Sequence, residues 1–169
     1  EAVDPGAWDA LAGGANPFVS HAFLNALERT GCLGERYGWW PRHLLVHDAG
    51  GALAGACPLY LKNNSYGEFV FDWAWADAYQ RHGVAYYPKL VCGVPYTPAT
   101  GPRLLVDPAA ARGPVVDLLV AGAREVAARE GASSIHWLFT DAATTGELEA
   151  REHLRRVGVQ FHWANPGYR

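Results

Sequence analysis

Proline is concentrated in one segment of this 169-residue chain. In residues 86–105, YYPKLVCGVPYTPATGPRLL, Pro95, Pro98 and Pro102 fall within eight positions. Each proline ring fixes the backbone φ angle and removes a hydrogen-bond donor, so neither a helix interior nor a central strand accommodates this density. The segment is nevertheless rich in apolar and aromatic residues. We therefore predict a rigid loop that leads into a strand over residues 101–106.

The spacing of apolar residues predicts the elements on both sides of this loop. Ser20 is placed to cap a helix, Pro114 to begin one and Gly131 to end it. The predicted elements are, in chain order, a helix from Ser20 to Arg29, a β-hairpin of strands 42–48 and 52–62, a helix over 71–83, the strand over 101–106, a helix over 115–131, a strand over 133–140, a helix over 146–158 and a strand over 159–165.

This order predicts an α/β fold with a central mixed sheet flanked by helices. A hairpin makes antiparallel pairs in the first half, whereas strands that alternate with helices pair in parallel in the second half. Parallel strands of this kind bind ligands beyond their carboxyl ends. The length and a hydrophobic fraction of 50% fit a single domain with a sizeable core over residues 1–169.

Charge and composition argue against several classes of function. The net charge of −3 gives no bulk attraction to nucleic acid or to an anionic membrane. No apolar run reaches the roughly 20 residues that span a bilayer. The three widely spaced cysteines and the lack of a secretory signal lead us to expect a cytoplasmic protein without membrane insertion. His43 and His47 are too far apart along a strand to bind one metal ion, so no metal site is expected.

Four segments of the chain resemble the FemAB-like family of bacterial proteins, which is associated with peptidoglycan biosynthesis or recognition. They are NPFVSHAFLNALE (16–28), FDWAWADAYQRHGVAYYPKLVCGVPYTPATGPRLLV (71–106), SSIHWLF (133–139) and QFHWANPGY (160–168). The family is of the GNAT acyltransferase type, and the predicted order of elements is similar to that of the GNAT fold. The resemblance implies two tandem GNAT-like units, of which this chain would be the N-terminal half. The absence of methionine agrees with that expectation.

The resemblance also implies a reaction. Fem-type enzymes transfer an aminoacyl group from aminoacyl-tRNA to an amine of a peptidoglycan precursor, and GNAT enzymes transfer an acetyl group from acetyl-CoA. In both, an amine attacks an activated carbonyl, which requires a proton acceptor and hydrogen-bond donors for the oxyanion. We expect acyl-CoA or aminoacyl-tRNA as co-substrate and no tightly bound cofactor. Basic and aromatic residues interleave over 79–89, a pattern that can contact tRNA.

Candidate site residues fall in the predicted helix over 71–83 and in the proline-rich segment. The candidates for the catalytic proton acceptor or donor are Asp72, His82 and Tyr96. The prolines limit the freedom of the loop, so its hydroxyl and cationic groups are preorganised for binding. The expected substrate-binding residues are Trp75, Tyr79, Tyr86, Tyr87, Lys89, Tyr96, Thr97, Thr100 and Arg103. The alternative is that the aromatic residues form core and the loop only separates two strands.

A GNAT-like donor site would lie at the start of the helix that follows residue 111. Arg112 and Gly113 are the candidates to bind a CoA pyrophosphate at this helix N-terminus. However, the GNAT pattern Arg/Gln-x-x-Gly-x-Gly/Ala is broken here, and Pro114 removes an N–H group. An acyltransferase therefore stays open beside two alternatives, a non-catalytic module that recognises a cell-wall precursor or a protein, and an N-acetyltransferase of small molecules.

Overall fold

Helices surround two β-sheets in the computed structural model, which describes residues 3–164 and 166–167. The helices are α1 (Pro5–Ala12), α2 (His21–Arg29), α3 (Trp73–Arg81), α4 (Arg112–Glu130) and α5 (Ala142–Glu149). The strands are β1 (Trp39–Pro41), β2 (Leu44–His47), β3 (Leu53–Cys57), β4 (Leu59–Lys62), β5 (Lys89–Cys92), β6 (Leu105–Val106) and β7 (Ile135–Trp137). The predicted mixed α/β, GNAT-like fold is confirmed. None of the helices among the described residues is long and apolar enough to cross a membrane.

The strands are divided between a four-stranded sheet of order β1-β4-β5-β7 and a three-stranded sheet of order β2-β3-β6. In the larger sheet β5 pairs in parallel with β7, and the other pairs are antiparallel. The predicted hairpin is the antiparallel pair β2–β3. One expectation was wrong, because β6 pairs antiparallel with β3 and not in parallel with a later strand. A single bridge between Gly101 and Thr140 provides the parallel contact there.

Pro58 interrupts what the sequence predicted as one strand over residues 52–62. The structure divides this segment into β3 and β4, which belong to different sheets. Proline has no N–H for a ladder and its φ angle is fixed, so the strand changes partners at this residue. The two sheets stay close at the break, where Cys57 Sγ lies 3.1 Å from Cys92 Sγ of β5.

Helix α4 covers the apolar faces of both sheets. Its buried side chains pack against Leu59 and Leu90 of the larger sheet and against Ala54 and Val106 of the smaller one. These helix residues are Val115, Val116, Leu119, Val120, Ala123 and Val126. The pattern of apolar residues in this helix also favours a buried Leu118, and that prediction is wrong, since Leu118 is 56% exposed. Gly131 ends the helix in the left-handed conformation, as predicted.

The opposite face of the four-stranded sheet carries charged residues. Residues paired across strands share a face, so Trp39, Lys62 and Lys89 lie side by side on it. The segment over 63–88, which contains α3, covers these residues through hydrogen bonds described below. Helix α3 has no buried residue of its own. The position of this segment is therefore set by its hydrogen bonds to the lysines and by the packing of Val70 against the apolar cluster that contains Trp39, Tyr60 and Val91.

Strand β5 lies inside the segment that the sequence predicted as a loop. Lys89–Cys92 is a central strand between β4 and β7. The prediction was wrong because Pro95, Pro98 and Pro102 all follow Cys92, and they leave the donors of KLVC intact. The rigid loop is consequently shorter than expected and begins after β5.

The last predicted elements are also shifted. The helix predicted over 146–158 is α5, which begins earlier because Asp141 Oδ1 accepts the N–H of Thr144 and caps it. No strand forms within residues 159–164, where Phe161 is 97% exposed, and residue 165 lies outside the described residues.

Candidate functional site

The chain contains two lysines, Lys62 and Lys89, and the fold buries both completely. Lys62 ends β4 and lies opposite Lys89, the first residue of β5. A lysine is almost never fully buried unless its ammonium group is paired. The residues that cover this face of the sheet therefore have to provide acceptors for both amines.

Lys89 is surrounded by three acceptors from the covering segment. Its Nζ donates to Ser65 Oγ at 2.8 Å, to Glu68 Oε2 at 2.8 Å and to Asp72 Oδ2 at 2.5 Å. Three partners satisfy the three donors of an ammonium group. Asp72 Oδ2 also accepts the hydroxyl of Tyr86 at 2.7 Å. We call this set, together with the neighbouring Lys62, the lysine cluster (Lys62, Ser65, Glu68, Asp72, Tyr86 and Lys89).

Lys62 has neutral partners. Its Nζ donates to Asn64 Oδ1 at 3.2 Å and to the Tyr66 carbonyl at 3.0 Å. It also lies 3.9 Å from the centroid of a Trp39 ring, within the range of a cation–π contact. Burial lowers the pKa of Lys62 to about 7. A substantial fraction of this amine is therefore neutral at neutral pH.

The two carboxylates of the lysine cluster respond differently to burial. Burial raises the pKa of Glu68, although Lys89 acts against it. Burial also acts to raise the pKa of Asp72, but hydrogen bonds from Lys89 and Tyr86 outweigh it, and this pKa is lowered. Glu68 Oε1 and Asp72 Oδ1 have no hydrogen-bond partner among the described residues. The cluster is therefore charged but incompletely hydrogen-bonded.

An open groove of about 450 Å³ lies beside the lysine cluster, between α3 and the residues that lead to β5. Its lining residues are Ala76, Gln80, Gly83, Val84, Ala85, Tyr86 and Tyr87. The cluster holds both tyrosines, since Tyr86 donates to Asp72 and the Tyr87 hydroxyl lies 2.8 Å from Ser65 Oγ. Burial and the neighbouring Asp72 raise the pKa of Tyr86. Its hydroxyl therefore stays protonated at physiological pH.

The structure does not bring the three candidate catalytic residues together. Asp72 is buried in the lysine cluster. His82 is exposed after the end of α3, where its Nδ1 lies 2.7 Å from the Ala78 carbonyl oxygen. Tyr96 follows β5, and its hydroxyl donates to the Cys32 carbonyl at 2.9 Å. Of these three residues, only Asp72 has a side-chain hydrogen bond to a residue that lines the groove.

The expected substrate-binding residues divide into two groups. Tyr86 and Tyr87 line the groove, Tyr79 packs against Tyr86 with ring centroids 5.1 Å apart, and Lys89 lies beneath them. Trp75 is 57% exposed on α3. The second group, Tyr96, Thr97, Thr100 and Arg103, lies in the proline-rich loop after β5 and does not line this groove.

Arg103 is a buried residue of that loop. Its guanidinium donates to the carbonyls of Ala99, Pro102 and Leu138 at 2.6, 3.1 and 2.9 Å. Thr97 Oγ1 donates to the Pro95 carbonyl at 3.1 Å. These contacts hold the loop against the end of β7, so the structure assigns Arg103 a structural contact in addition to the binding role that the sequence suggested.

The candidate donor site at the start of α4 is occupied by side-chain contacts. Arg112 Nε and Nη2 donate to the two carboxylate oxygens of Glu147 in α5, at 2.7 and 2.9 Å. The Gly113 carbonyl accepts a hydrogen bond from Arg151 at 3.2 Å. Phosphate binding by Arg112 and Gly113 stays a prediction, and it would have to compete with Glu147.

Sequence reasoning missed Lys62, Ser65 and Glu68. A signal was present, because the two lysines follow or begin strongly apolar segments, LYLK and KLVC. A lysine among strand residues of this kind is unusual and indicates a buried, paired amine. Ser65 and Glu68 lie in NNSYGEF, which reads as an ordinary turn.

A comparison with known protein families matches residues 1–169 to the family described as FemAB-like, peptidoglycan biosynthesis/recognition. No curated protein matches the chain. The family match spans α3, the groove, the lysine cluster and β5, as well as the rest of the sheet. The chain belongs to the FemAB-like family of peptidoglycan biosynthesis or recognition proteins.

Proposed function

We propose that the chain takes part in the transfer of an acyl or aminoacyl group to an amine of a peptidoglycan precursor. The observation that supports this proposal is the groove beside the lysine cluster, formed by the segment over 71–106 within a GNAT-like fold. In the reaction the amine nitrogen forms a bond to the acyl carbon, and the bond from that carbon to the donor's sulfur or oxygen breaks. The acceptor amine binds in the groove.

Two groups in the groove can orient an amine or a carbonyl, the Tyr87 hydroxyl and the Gln80 amide. Asp72 is the proposed acceptor for the proton that the amine loses, with the Tyr86 hydroxyl between them. The proposal leaves His82 and Tyr96 without a part in proton transfer. The donor is acyl-CoA or aminoacyl-tRNA, and a second GNAT-like half of a longer protein supplies part of its site.

A transfer assay tests the proposal. The chain, and a longer protein that contains it, are incubated with labelled acetyl-CoA or aminoacyl-tRNA and with an amine-bearing peptidoglycan precursor. Tyr87→Phe removes a positioning hydroxyl and is expected to lower kcat/KM by about ten-fold, the scale of one hydrogen bond in a transition state. Tyr37→Phe is the control, because Tyr37 does not line the groove, and this variant should keep the kcat/KM of the unmodified chain. No transfer from either donor would contradict the proposal.

A second candidate is recognition of a peptidoglycan precursor without catalysis. The observation that favours it is that the charged groups of the lysine cluster pair with one another. All three donors of Lys89 are used and its partners are buried, which leaves these groups less available for chemistry on a substrate. Calorimetry separates the two functions. A recognition module binds the precursor and gives no heat with acyl-CoA or aminoacyl-tRNA, whereas a transferase responds to one of these donors.

A further inference from the structure

Two of the three cysteines meet where the chain passes from one sheet to the other. Cys57 is the last residue of β3 in the smaller sheet, and Cys92 is the last residue of β5 in the larger sheet. Their sulfur atoms lie 3.1 Å apart, and both residues are fully buried. A disulfide bond is about 2.0 Å long, so the sulfurs have to approach each other by about 1 Å to form one.

The surroundings of the two sulfurs oppose this movement only weakly. Apart from the contact between the sulfurs, the hydrogen bond found for them runs from Cys92 Sγ to the Arg103 carbonyl oxygen at 3.8 Å. A thiol is a weak donor, so the loss of that bond costs little. Both strands also end at these residues, since Pro58 follows Cys57 and Gly93 follows Cys92. The sulfurs can therefore come together without breaking a strong hydrogen bond of either side chain.

The closed fold protects both thiols from oxidants. The thiolate is the reactive form of cysteine, and burial, together with the neighbouring Cys92, raises the pKa of Cys57 well above its usual range. A dissolved oxidant also cannot touch a residue that has no exposed surface. Oxidation of this pair therefore requires a brief opening of the fold, and closure then brings the two sulfurs back into contact. Cys32 differs, because it is partly exposed.

A bond between Cys57 and Cys92 encloses the candidate site in a covalent ring. The ring contains residues 57–92, and with them β4, the covering segment, α3 and the whole lysine cluster. It also joins the two sheets at a second point, in addition to the peptide link at Pro58. A cross-link of this kind stabilises a fold mainly because it restricts the unfolded chain.

We propose that Cys57 and Cys92 are a redox-active pair, which a small-molecule disulfide converts into an intrachain disulfide that holds the candidate site closed. One cysteine thiolate attacks a sulfur of the oxidant, whose S–S bond breaks and releases one thiol. The other cysteine attacks the mixed disulfide, forms the intrachain bond and releases the second thiol. The two protons and two electrons lost by the cysteines end on the two released thiols. This role is independent of the proposed transfer reaction.

Oxidation by hydroxyethyl disulfide tests the proposal. The reduced chain is incubated with it in urea below the unfolding transition, free thiols are then blocked, and mass spectrometry identifies the linked peptides. We expect the bond between Cys57 and Cys92 to predominate. The chain in high urea is the reference, because there loop closure favours Cys32 with Cys57, the pair that is closest in the sequence. The change of preferred partner on folding reports the contact between β3 and β5.

Stability gives the second measurement. The disulfide form should unfold at a urea concentration about 1 M higher than the reduced form, and dithiothreitol should reverse this shift. Cys32→Ser should keep both the bond and the shift, whereas Cys92→Ala should lose both. If Cys92→Ala does not fold, the unmodified chain decides the test. Free thiols at Cys57 and Cys92 after Cys32 has reacted, or a disulfide that lowers the urea midpoint, would overturn the proposal.

Discussion

Three buried cations illustrate different ways to compensate for the loss of water. Lys89 is paired with two carboxylates, and Arg103 donates to three backbone carbonyls. Lys62 contacts an amide oxygen, a carbonyl and an aromatic ring, and its pKa falls to about 7. Only Lys89 has counter-charges in contact, so its removal leaves the largest uncompensated charge.

The substitution Lys89→Met tests that difference. It leaves Glu68 and Asp72 buried without their cation, and the free energy of unfolding should fall by about 3–5 kcal/mol. Arg81→Met is the matched control, because Arg81 forms an exposed pair with Asp77 at 3.7 Å, and it should change stability by at most about 0.5 kcal/mol. Urea unfolding measures both. Equal losses in the two variants would contradict the role given to the cluster.

The lowered pKa of Lys62 predicts how the stability of the fold depends on pH. In the folded chain it loses its proton near pH 7, compared with an ordinary value of 10.5. Between these values the unfolded chain binds more protons, so the free energy of unfolding rises with pH, and below pH 7 the cost of burying the ammonium is present in full. Lys62→Met lacks this dependence. The difference in stability should therefore move in favour of the unmodified chain as pH rises above 7; a constant difference in urea unfolding would refute the shift.

At the scale of elements, the contact between α4 and β3 depends on one glycine. A Cβ atom at Gly55 would lie 2.4 Å from Val115 Cγ1 and 3.3 Å from the Leu105 carbonyl oxygen. Val115 is buried between the helix and the sheet, so it has little room to move. The absence of a side chain at Gly55 therefore sets how closely the helix approaches the strand.

Gly55→Ala should lower the free energy of unfolding by about 1–3 kcal/mol, because it overpacks this contact. Gly146→Ala is the control, since α5 leaves nothing within 4 Å of the added Cβ. The control should raise stability by about 0.5–1 kcal/mol, the helix preference of alanine over glycine. Thermal unfolding of both variants gives the comparison. A neutral Gly55→Ala variant would show that α4 can shift without cost.

Local signals predicted those elements that depend on local contacts. Ser20 caps α2 and Gly131 ends α4 where the sequence indicated. The errors arose where distant contacts decide, as at Pro58, where the strand changes sheets, and at Lys89, whose partners Ser65 and Glu68 lie in a turn. For the site, the sequence identified Asp72, Tyr86, Tyr87 and Lys89 separately. Their convergence required the covering segment to fold onto the sheet, which no local pattern specifies.

At the scale of the whole molecule, the two sheets share one core. Leu59 and Leu90 of the larger sheet and Val106 of the smaller sheet belong to the same buried cluster as the inner face of α4. The chain also passes directly from one sheet to the other at Pro58. Loss of α4 would expose this shared cluster in both sheets at once, so we expect them to unfold together.

Two optical signals can check this expectation. Trp39 and Trp137 belong to the larger sheet, and far-ultraviolet circular dichroism reports all helices and strands. The fluorescence and dichroism transitions in urea should coincide, as two-state unfolding requires. Four of the seven tryptophans lie outside this sheet, so a fluorescence transition at a lower urea concentration than the dichroism transition would show that the chain does not unfold as one unit.

The burial of Lys62 and Lys89 has a chemical consequence under the proposed function, in which the chain meets activated acyl groups. A thioester or ester of that kind reacts spontaneously with exposed lysine amines, and the folded chain presents none, because its surface cations are arginines or histidines. The side chains thus resist self-acylation as long as the fold is closed. The rate at which an amine-reactive ester labels the two lysines would therefore report how often the fold opens.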